Sequence, residues 1–193
     1  MSAYERSYDG RETHTVDVQG EERDLPIVEI ADGIYIASDA DVVLGDTSFI
    51  DAAAVALADE IPAQSIDYLV TPEAKALPVT HALAQETGLT YVVVRKSVKG
   101  YMREPLRGTV DSITTDREQH LVLDGRDATR VADARVAIVD DAVSTGETMA
   151  AVEDLLADAG ADVVMRAAIF EEGRPHPDVR TLRSLPIFRR EKP

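Results

Sequence analysis

Two adjacent aspartates, Asp140 and Asp141, stand where a run of apolar residues gives way to small and hydroxylated ones. The preceding VAIV is typical of a buried strand, and open α/β sheets bind ligands at the carboxyl ends of their strands. The following residues lead into a predicted helix, whose free N–H groups and positive dipole end favour an anion. Carboxylates repel phosphate but accept hydrogen bonds from hydroxyl groups, so the segment predicts a sugar-phosphate site. The simpler alternative is a capped helix preceded by two solvated acids.

Lysine is rare in this chain and unevenly placed. Of its four lysines, Lys75, Lys96 and Lys99 lie close together in sequence, and the fourth is Lys192. A chain with a net charge of −16 needs local positive charge wherever it handles phosphate, so this cluster is a candidate for that role. The plainer interpretations are a helix surface around Lys75 and a solvated basic turn. A Walker A site is not supported, because the sequence Gly-Lys-Ser/Thr is absent.

The apolar pattern predicts strands and helices that alternate along the middle of the chain, which indicates βαβ units and a parallel sheet. We predict helices at 46–61, 76–87 and 146–160 and buried strands at 65–71, 90–95, 135–141 and 162–170. Residues 97–107 predict a mobile loop, and two antiparallel strands follow within 109–115 and 119–125. Residues 1–24 predict a loose arm or the edge of a lobe, and residues 171–193 predict part of a cap over the sheet.

The segment 136–148 (VAIVDDAVSTGET) resembles the motif with which type I phosphoribosyltransferases bind phosphoribosyl pyrophosphate (PRPP). That motif has four apolar residues, two acids and a Thr-Gly-x-Thr loop. The resemblance implies that Asp140 and Asp141 bind the ribose 2′ and 3′ hydroxyls. The implied 5′-phosphate-binding residues are Ala142, Val143, Ser144, Thr145, Gly146, Glu147 and Thr148. Glu147 departs from the family pattern of glycine or a basic residue, and its side chain would oppose the phosphate only if it pointed inward.

Two further segments resemble the same family in the expected order along the chain. VTPEAKA (70–76) is similar to its pyrophosphate loop, and the basic residues of 95–99 are similar to its RKxxK segment. The residues implied to bind pyrophosphate are Glu73, Ala74, Lys75, Ala76, Arg95, Lys96 and Lys99. The family reaction also implies Mg²⁺ held mainly by the substrate, and it requires no side-chain nucleophile. Glu104 on the predicted loop is a candidate for proton transfer to or from the base, the alternative being a solvated acid.

The base is expected near the end of the strand at 162–170. Phe170 could stack on a purine ring or belong to the core. Oxopurine-specific relatives commonly place a lysine about here, whereas this chain offers Ala168 or Glu172. A carboxylate accepts from an exocyclic amine and repels a carbonyl oxygen, so we expect adenine to be favoured, with hypoxanthine or guanine as further candidates. The resemblance covers about 65–175 and is closest to the archaeal hypoxanthine/guanine phosphoribosyltransferase-like group of adenine/xanthine type.

The implied fold is α/β, with a central, mostly parallel sheet flanked by helices and a small hood lobe. We expect one domain over residues 1–193, with a core at about 46–170 and a hood from about 20–45 and 171–193. The implied activity is purine salvage: phosphoribosyl passes from PRPP to a purine base, giving a nucleoside monophosphate and pyrophosphate. The family also implies a homodimer.

Composition narrows the classes of protein that this chain can belong to. It has no cysteine, which removes disulfides and thiol nucleophiles, and no apolar run long enough to span a membrane. The acidic charge argues against binding to nucleic acid and suits a salt-rich cytoplasm, the alternative being an ordinary acidic protein. Its four histidines lack the spacing of metal ligands.

Two rival functions share the same fold. A regulator could bind PRPP or purines without catalysis, but known regulators of this kind carry a DNA-binding lobe, and residues 1–45 show no paired amphipathic helices or basic face. The retained cations Lys75, Arg95, Lys96 and Lys99 also favour an enzyme. Orotate or uracil transfer is the second rival, for which we find no segment that would place a pyrimidine.

Overall fold

The computed structural model describes residues 4–38, 43–62, 65–110 and 119–190. The elements follow in the order β1 (Glu5–Ser7), β2 (Thr13–Val18), β3 (Glu21–Ala31), β4 (Ile34–Ala37), α1 (Thr47–Glu60), β5 (Tyr68–Pro72), α2 (Leu77–Thr87), β6 (Thr90–Val94), β7 (Leu106–Val110), β8 (Gln119–Leu123), α3 (Gly125–Val131), β9 (Arg135–Val143), α4 (Glu147–Asp158), β10 (Asp162–Glu172), β11 (Arg180–Leu185) and β12 (Ile187–Arg189). None of the helices in these ranges is both long and apolar enough to cross a membrane.

The core of the molecule is a parallel sheet with strand order β11-β10-β9-β5-β6. Helices α1 and α2 pack on one face, and α3, α4 and strand β8 pack on the other. The predicted α/β class with a mostly parallel sheet is therefore confirmed. The strand predicted at 65–71 begins later, at Tyr68, because Asp67 is held in a turn by backbone and side-chain hydrogen bonds with Arg135.

Strand β9 lies at the centre of this sheet and is covered on both faces. Its residues alternate between two cores: Ala137 and Val139 face α1 and α2, while Val136 and Ile138 face α4. A strand buried on both sides reads as an unbroken apolar run, which is why this strand is so plain in the sequence. Its central position fixes where the chain after Val139 emerges.

Local sequence signals set the ends of the helices. The Asp46 carboxylate accepts a hydrogen bond of 3.1 Å from the N–H of Phe49 and so caps α1. Gly88 ends α2 in the left-handed conformation, with φ of 72°. Helix α4 starts differently: Gly146 precedes it with φ of 84° and has no side chain to act as a cap. The N–H of Glu147 donates to the Thr145 hydroxyl at 3.3 Å, and the N–H groups that follow it in the first turn of α4 are left for another acceptor.

A second sheet, with strand order β1-β12-β4-β3-β2, is formed mainly by the N-terminal residues. A loose arm over residues 1–24 is wrong, since β1, β2 and the start of β3 lie there, but the alternative of a lobe edge is confirmed, because β1 and β2 are the edge strands of this sheet. Within this arm, Val16 and Val18 are buried, while the residues between and beside them are partly or fully exposed. In a sheet with one solvated face, only alternate residues of each strand need be apolar. In a polar sequence this alternation is difficult to recognise.

The other differences from the predicted elements lie in the second half of the chain. Residues 171–193 do not all belong to a cap, because β11 pairs with β10 and extends the central sheet. Strand β12 instead joins the second sheet. The predicted strand at 109–115 corresponds to β7, which begins at Leu106, and residues 111–118 lie outside the described ranges. Helix α3 was not predicted, because only Val131 within it is buried and the apolar period is lost.

Gly125, at the start of α3, anchors the end of the loop that the sequence predicted at 97–107. Its N–H donates a hydrogen bond of 3.0 Å to the carbonyl oxygen of Arg103. A Cβ atom added at this position would lie 2.5 Å from that oxygen and 2.7 Å from the carbonyl oxygen of Glu104. Both contacts involve backbone atoms, which cannot turn aside as a flexible side chain can. The absence of a side chain at Gly125 thus allows the loop to approach the helix.

Substitution of Gly125 by alanine tests this anchor, because two effects oppose each other there. Helix propensity alone predicts a gain of up to about 1 kcal/mol. The clash with Arg103 and Glu104 predicts a loss of about 1–3 kcal/mol, so we expect Gly125→Ala to be less stable than the wild type in urea unfolding. Gly45→Ala is the control, because an added Cβ there has no neighbour within 4 Å. A Gly125→Ala variant as stable as the wild type would contradict the proposed anchor.

Candidate active site

A cavity of about 250 Å³ opens at the carboxyl ends of β5, β9 and β10. Parallel strands end at the same edge of a sheet, so segments that are far apart in sequence meet there. The lining residues are Pro72, Glu73, Ala74, Lys75, Lys96, Asp140, Asp141, Ala142, Ser144, Thr148 and Glu172. All three segments predicted to carry chemistry, together with Glu172, therefore share one cavity.

Asp140 and Asp141 lie side by side on this cavity and are almost completely buried, with 9% and 7% of their surface exposed. The Oδ1 atom of Asp140 accepts a hydrogen bond of 2.9 Å from the N–H of Asp141. Burial raises the pKa of the Asp140 carboxyl well above its ordinary value of 3.8, and the side-chain hydrogen bond and charge of Asp141 add to the rise, whereas the bond from the Asp141 N–H lowers the pKa. The positive charge of Lys96 also opposes the rise. The pair thus offers hydroxyl-binding oxygens at reduced negative charge.

The loop after β9 encloses a smaller cavity of about 60 Å³ at the start of α4. It is lined by Asp140, Ala142, Val143, Ser144, Thr145, Gly146, Thr148 and Met149. The left-handed conformation of Gly146 and the uncapped start of α4 leave N–H groups for an anion, as in other backbone concavities. Hydroxyl groups of Ser144, Thr145 and Thr148 belong to the same lining. The volume suits a group of the size of phosphate.

Glu147 is the one member of this loop whose charge would disfavour an anion. It lines neither cavity, although its neighbours on both sides do. Its N–H donates to the hydroxyl of Thr145 at 3.3 Å. The Glu147 side chain is thus directed away from both cavities, and a carboxylate at the first turn of a helix is favoured by the dipole.

Glu73 holds together the two basic segments of the site. Its carboxylate accepts hydrogen bonds from the N–H of Lys96 at 2.7 Å and from the Arg95 guanidinium at 3.0 Å. The ammonium group of Lys99 lies 3.7 Å away. Burial favours the protonated acid, but the bonds from Lys96 and Arg95 and the charge of Lys99 outweigh it and lower the pKa of Glu73. The carboxylate is therefore charged at neutral pH and fixes the 95–99 segment beside the 73–76 loop.

The predicted residues divide into those that line a cavity and those that lie behind it. Lys75 and Lys96 line the larger cavity, while Arg95 and Lys99 lie against Glu73, and Ala76 is buried at the start of α2. Glu104 is exposed and lines neither of the two cavities, so its role in proton transfer remains a prediction.

The stacking role predicted for Phe170 is wrong in this structure. Phe170 has no exposed surface, and its ring lies 6.2 Å from that of Phe49 in the core. The sequence alone could not decide this, because an aromatic residue near the end of a strand can face either the core or the cleft. Two residues further on, Glu172 does line the larger cavity.

Two residues that were not predicted from the sequence hold the loop after β9. The imidazole Nε2 of His176 lies 2.8 Å from the carbonyl oxygen of Ser144. The guanidinium of Arg174 donates to the carbonyl oxygen of Thr145 at 3.2 Å. Both come from the connection between β10 and β11, about thirty positions along the chain, and no local pattern signals contacts of that kind.

The arrangement can bind a molecule that carries hydroxyl groups between two anionic groups. Carboxylates face the middle of the site, and N–H groups or lysines lie at either side. Within the described ranges, no three His, Asp or Glu side chains lie close enough to hold a metal by themselves. A divalent cation here would need oxygen ligands from a bound molecule as well as from the protein.

The raised pKa of Asp140 has a cost in stability that a substitution can reveal. Asp140→Asn removes a buried ionisable group whose raised pKa destabilises the fold above pH 3.8, so at neutral pH we expect the variant to be more stable by about 1 kcal/mol. For a chain of this size that corresponds to a melting temperature about 2–4 °C higher. The control is Asp154→Asn, which removes the same charge from an exposed position on α4 and should leave the melting temperature nearly unchanged.

The gain in stability of Asp140→Asn over the wild type should depend on pH in a defined direction. The folded state raises the pKa of Asp140, so the acid is protonated in both folded and unfolded chains below its ordinary value of 3.8. The wild type and Asp140→Asn should therefore converge in acid, and the difference should grow as the pH rises through the raised pKa. Thermal melts across pH measure this. A variant less stable than the wild type at neutral pH would show that the charged carboxylate stabilises the fold.

The chain is similar in sequence to proteins of one known family. The model of the phosphoribosyl transferase domain family matches residues 47–183, well over half of the chain. A xanthine phosphoribosyltransferase from Chloroflexus aurantiacus is 33% identical over 133 residues, which cover 67% of this chain and 62% of that protein. HGPRTase-like protein 3 from Haloterrigena turkmenica is 35% identical over 119 residues, which cover 62% of this chain and 60% of that protein. The match thus spans less than two thirds of these relatives.

The fold has solved counterparts as well. The crystal structure of adenine phosphoribosyltransferase from Thermoanaerobacter pseudethanolicus superposes with a TM-score of 0.64 and covers 90% of this chain and 95% of that one. Its identity is 23%, so this likeness concerns the fold alone. The fold, the cavity at the strand ends and the family match agree: the chain belongs to the phosphoribosyl transferase domain family.

Proposed function

We propose that this protein transfers phosphoribosyl from PRPP to a purine base, giving a nucleoside monophosphate and pyrophosphate. The observation that carries the proposal is the shared cavity of about 250 Å³, in which the Asp140–Asp141 pair lies between the loop after β9 and the lysine-bearing loop after β5. A sugar that carries a phosphate at one end and a diphosphate at the other matches this order of groups. Relatives named as xanthine and HGPRTase-like proteins support the same class of substrate.

Each part of the cavity has a role in the proposed reaction. Asp140 and Asp141 accept hydrogen bonds from the ribose hydroxyls, and the loop around Gly146 holds the 5′-phosphate. The 73–76 loop and Lys96 face the pyrophosphate. As the bond from C1′ to pyrophosphate breaks, a ring nitrogen of the base bonds to C1′ and loses its proton, while the leaving group takes the bonding electrons. The protein contributes by positioning the reactants and stabilising the charge that develops on pyrophosphate.

Magnesium fits this site as a partner of the substrate. Carboxylate oxygens of Asp140 and Asp141 face the cavity, while the described residues supply no full ligand set. Mg²⁺ keeps several waters and binds through one or two carboxylates plus substrate phosphates, so this donor set suits it. When bound, the ion would neutralise charge on the pyrophosphate.

We further propose that adenine is the preferred base. Glu172 is the acidic residue of the cavity that comes from β10, at the end opposite the β5 loop in the sheet order. A carboxylate accepts a hydrogen bond from the 6-amino group of adenine but repels the 6-oxo group of hypoxanthine. Guanine retains an amino group at position 2 and is therefore the second candidate.

Turnover with single bases tests both proposals. With PRPP, Mg²⁺ and high salt, we expect adenine to give the highest kcat/KM. Glu172→Gln should narrow the preference for adenine over hypoxanthine by about tenfold, because an amide can donate to a 6-oxo group as well as accept. The double variant Asp140→Asn, Asp141→Asn should lower kcat/KM by about 100-fold or more.

The matched control for the double variant is Asp154→Asn, Asp158→Asn, which makes the same change in charge on the exposed face of α4 and should leave turnover unchanged. Turnover of hypoxanthine alone would overturn the preference for adenine. Tight binding of PRPP without turnover of any base would instead favour a regulator that senses PRPP.

We also propose that the protein works in a salt-rich cytoplasm as a homodimer. Its net charge of −16 supports the first point, since salt screens self-repulsion. Fractionation of cells would test the location, and a sedimentation measurement that found only monomer would refute the dimer.

The dependence of stability on salt follows from the same charge. Raising KCl from about 0.1 M to about 1 M shortens the screening length from about 10 Å to about 3 Å. We expect the melting temperature to rise by about 5 °C as a result. A melting temperature that falls or stays level over this range would argue against adaptation to salt.

A further inference from the structure

The connection between β10 and β11, residues 173–179, contacts the phosphate-binding loop from outside the site. His176 approaches the carbonyl oxygen of Ser144 at 2.8 Å, and Arg174 donates to that of Thr145 at 3.2 Å. A carbonyl oxygen can only accept, so Nε2 of His176 carries the hydrogen. Neither His176 nor Arg174 lines the two cavities of the site. They therefore act on the backbone of the loop and not on a bound ligand.

His176 is itself held in place from two strands. Its N–H donates to Glu171 on β10 at 3.2 Å, and the other carboxylate oxygen of Glu171 accepts from the hydroxyl of Ser184 on β11 at 2.5 Å. The carbonyl oxygen of His176 accepts a hydrogen bond of 2.9 Å from the N–H of Val179, which closes a turn. The imidazole is thus presented to the loop by a rigid support built from the central sheet.

The contacts with the carbonyl oxygens of Ser144 and Thr145 also determine where the N–H groups of the same peptide units point. The peptide bonds from Ser144 to Gly146 are trans, so the N–H of each unit points opposite to its carbonyl group. Holding the carbonyls of Ser144 and Thr145 toward His176 and Arg174 turns the N–H groups of Thr145 and Gly146 the other way. In the part of the chain that the structure describes, neither N–H donates to another protein group. Both residues line the cavity of about 60 Å³.

The imidazole of His176 packs beside Gly146, where an added Cβ atom would lie 3.5 Å from its Cε1 and Nδ1 atoms. His176 also borders a cavity of about 190 Å³, whose lining includes Gly146, Met149 and Val179. Space in that cavity would let the imidazole turn away from the loop if its hydrogen bond were lost. The two side-chain hydrogen bonds therefore act together with packing to restrain the direction of the carbonyls.

We propose that His176 and Arg174 are positioning residues that pre-orient the N–H groups of Thr145 and Gly146 for the 5′-phosphate, an inference that rests on the proposed function. They lower the reorganisation needed on binding, so their loss should weaken binding of the phosphate end alone. The chemical step and the pyrophosphate end should be affected little, because the 73–76 loop and Lys96 belong to other segments.

Calorimetry with two half-substrates tests this assignment. Ribose 5-phosphate probes the phosphate end, and pyrophosphate with Mg²⁺ probes the other. We expect His176→Ala to bind ribose 5-phosphate about tenfold more weakly and Arg174→Ala about threefold more weakly, with pyrophosphate affinity changed less than about twofold in both. In turnover, KM for PRPP should rise by a similar factor while kcat changes little. His176→Gln retains a donor of similar reach and should recover most of the affinity.

The matched control is His81→Gln, which replaces an exposed histidine on α2 and should leave both affinities unchanged. If His176→Ala fails to fold, Arg174→Ala and His176→Gln still test the proposal, since Arg174 is exposed. Wild-type affinity for ribose 5-phosphate in His176→Ala or, failing its folding, in Arg174→Ala would overturn the inference and leave the proposed function intact, as would an equal loss at both ends. A wild-type protein that binds neither PRPP nor ribose 5-phosphate would overturn the proposed function and the inference together.

Discussion

The burial of Asp140 and Asp141 at the end of the central strand is the constraint on which the rest of the site depends. Two carboxylates in a poorly solvated place repel each other, and burial raises the pKa of Asp140. The substrate that we propose would bring further negative charge to this place, in a chain whose net charge is −16. Hydroxyl groups placed against the acids and phosphate placed against backbone N–H groups would meet both demands.

The site contains few cations, and two of them are held by a carboxylate of the protein. Lys75 and Lys96 line the cavity, while Arg95 and Lys99 lie against the charged carboxylate of Glu73. This network fixes the 95–99 segment, and Gly125 fixes the far end of the loop that follows it. Between these two anchors the loop has a defined start and end.

Much of the fold and site could be predicted from the sequence, because buried strands and helices leave a clear pattern of apolar residues. The strand before Asp140 is apolar on both faces, and the helix after Gly146 has a plain period, so the segment that joins them was predicted closely. A hood lobe was expected where the second sheet lies, but its strands were missed because they alternate weakly, with Val16 and Val18 among polar residues. Helix α3 was missed for the same reason.

Other features could not be predicted, because they depend on tertiary packing. Phe170 faces the core while Glu172, two positions later, lines the cavity, and the sequence does not say at which residue the strand leaves the core. The contacts of His176 and Arg174 with Ser144 and Thr145 join segments about thirty residues apart through backbone carbonyls, which leave no trace in residue type. The chemistry at a strand end is thus more predictable than the support that orients it.

We propose above all that Asp140 and Asp141 bind ribose while the loop after β9 binds its 5′-phosphate. A crystal structure with a purine nucleoside 5′-monophosphate would test this most directly. We predict that the phosphate oxygens lie about 3 Å from the N–H groups of Thr145 and Gly146 and that the ribose hydroxyls contact Asp140 and Asp141. A nucleotide bound elsewhere, or bound with both carboxylates turned away from its ribose, would contradict it.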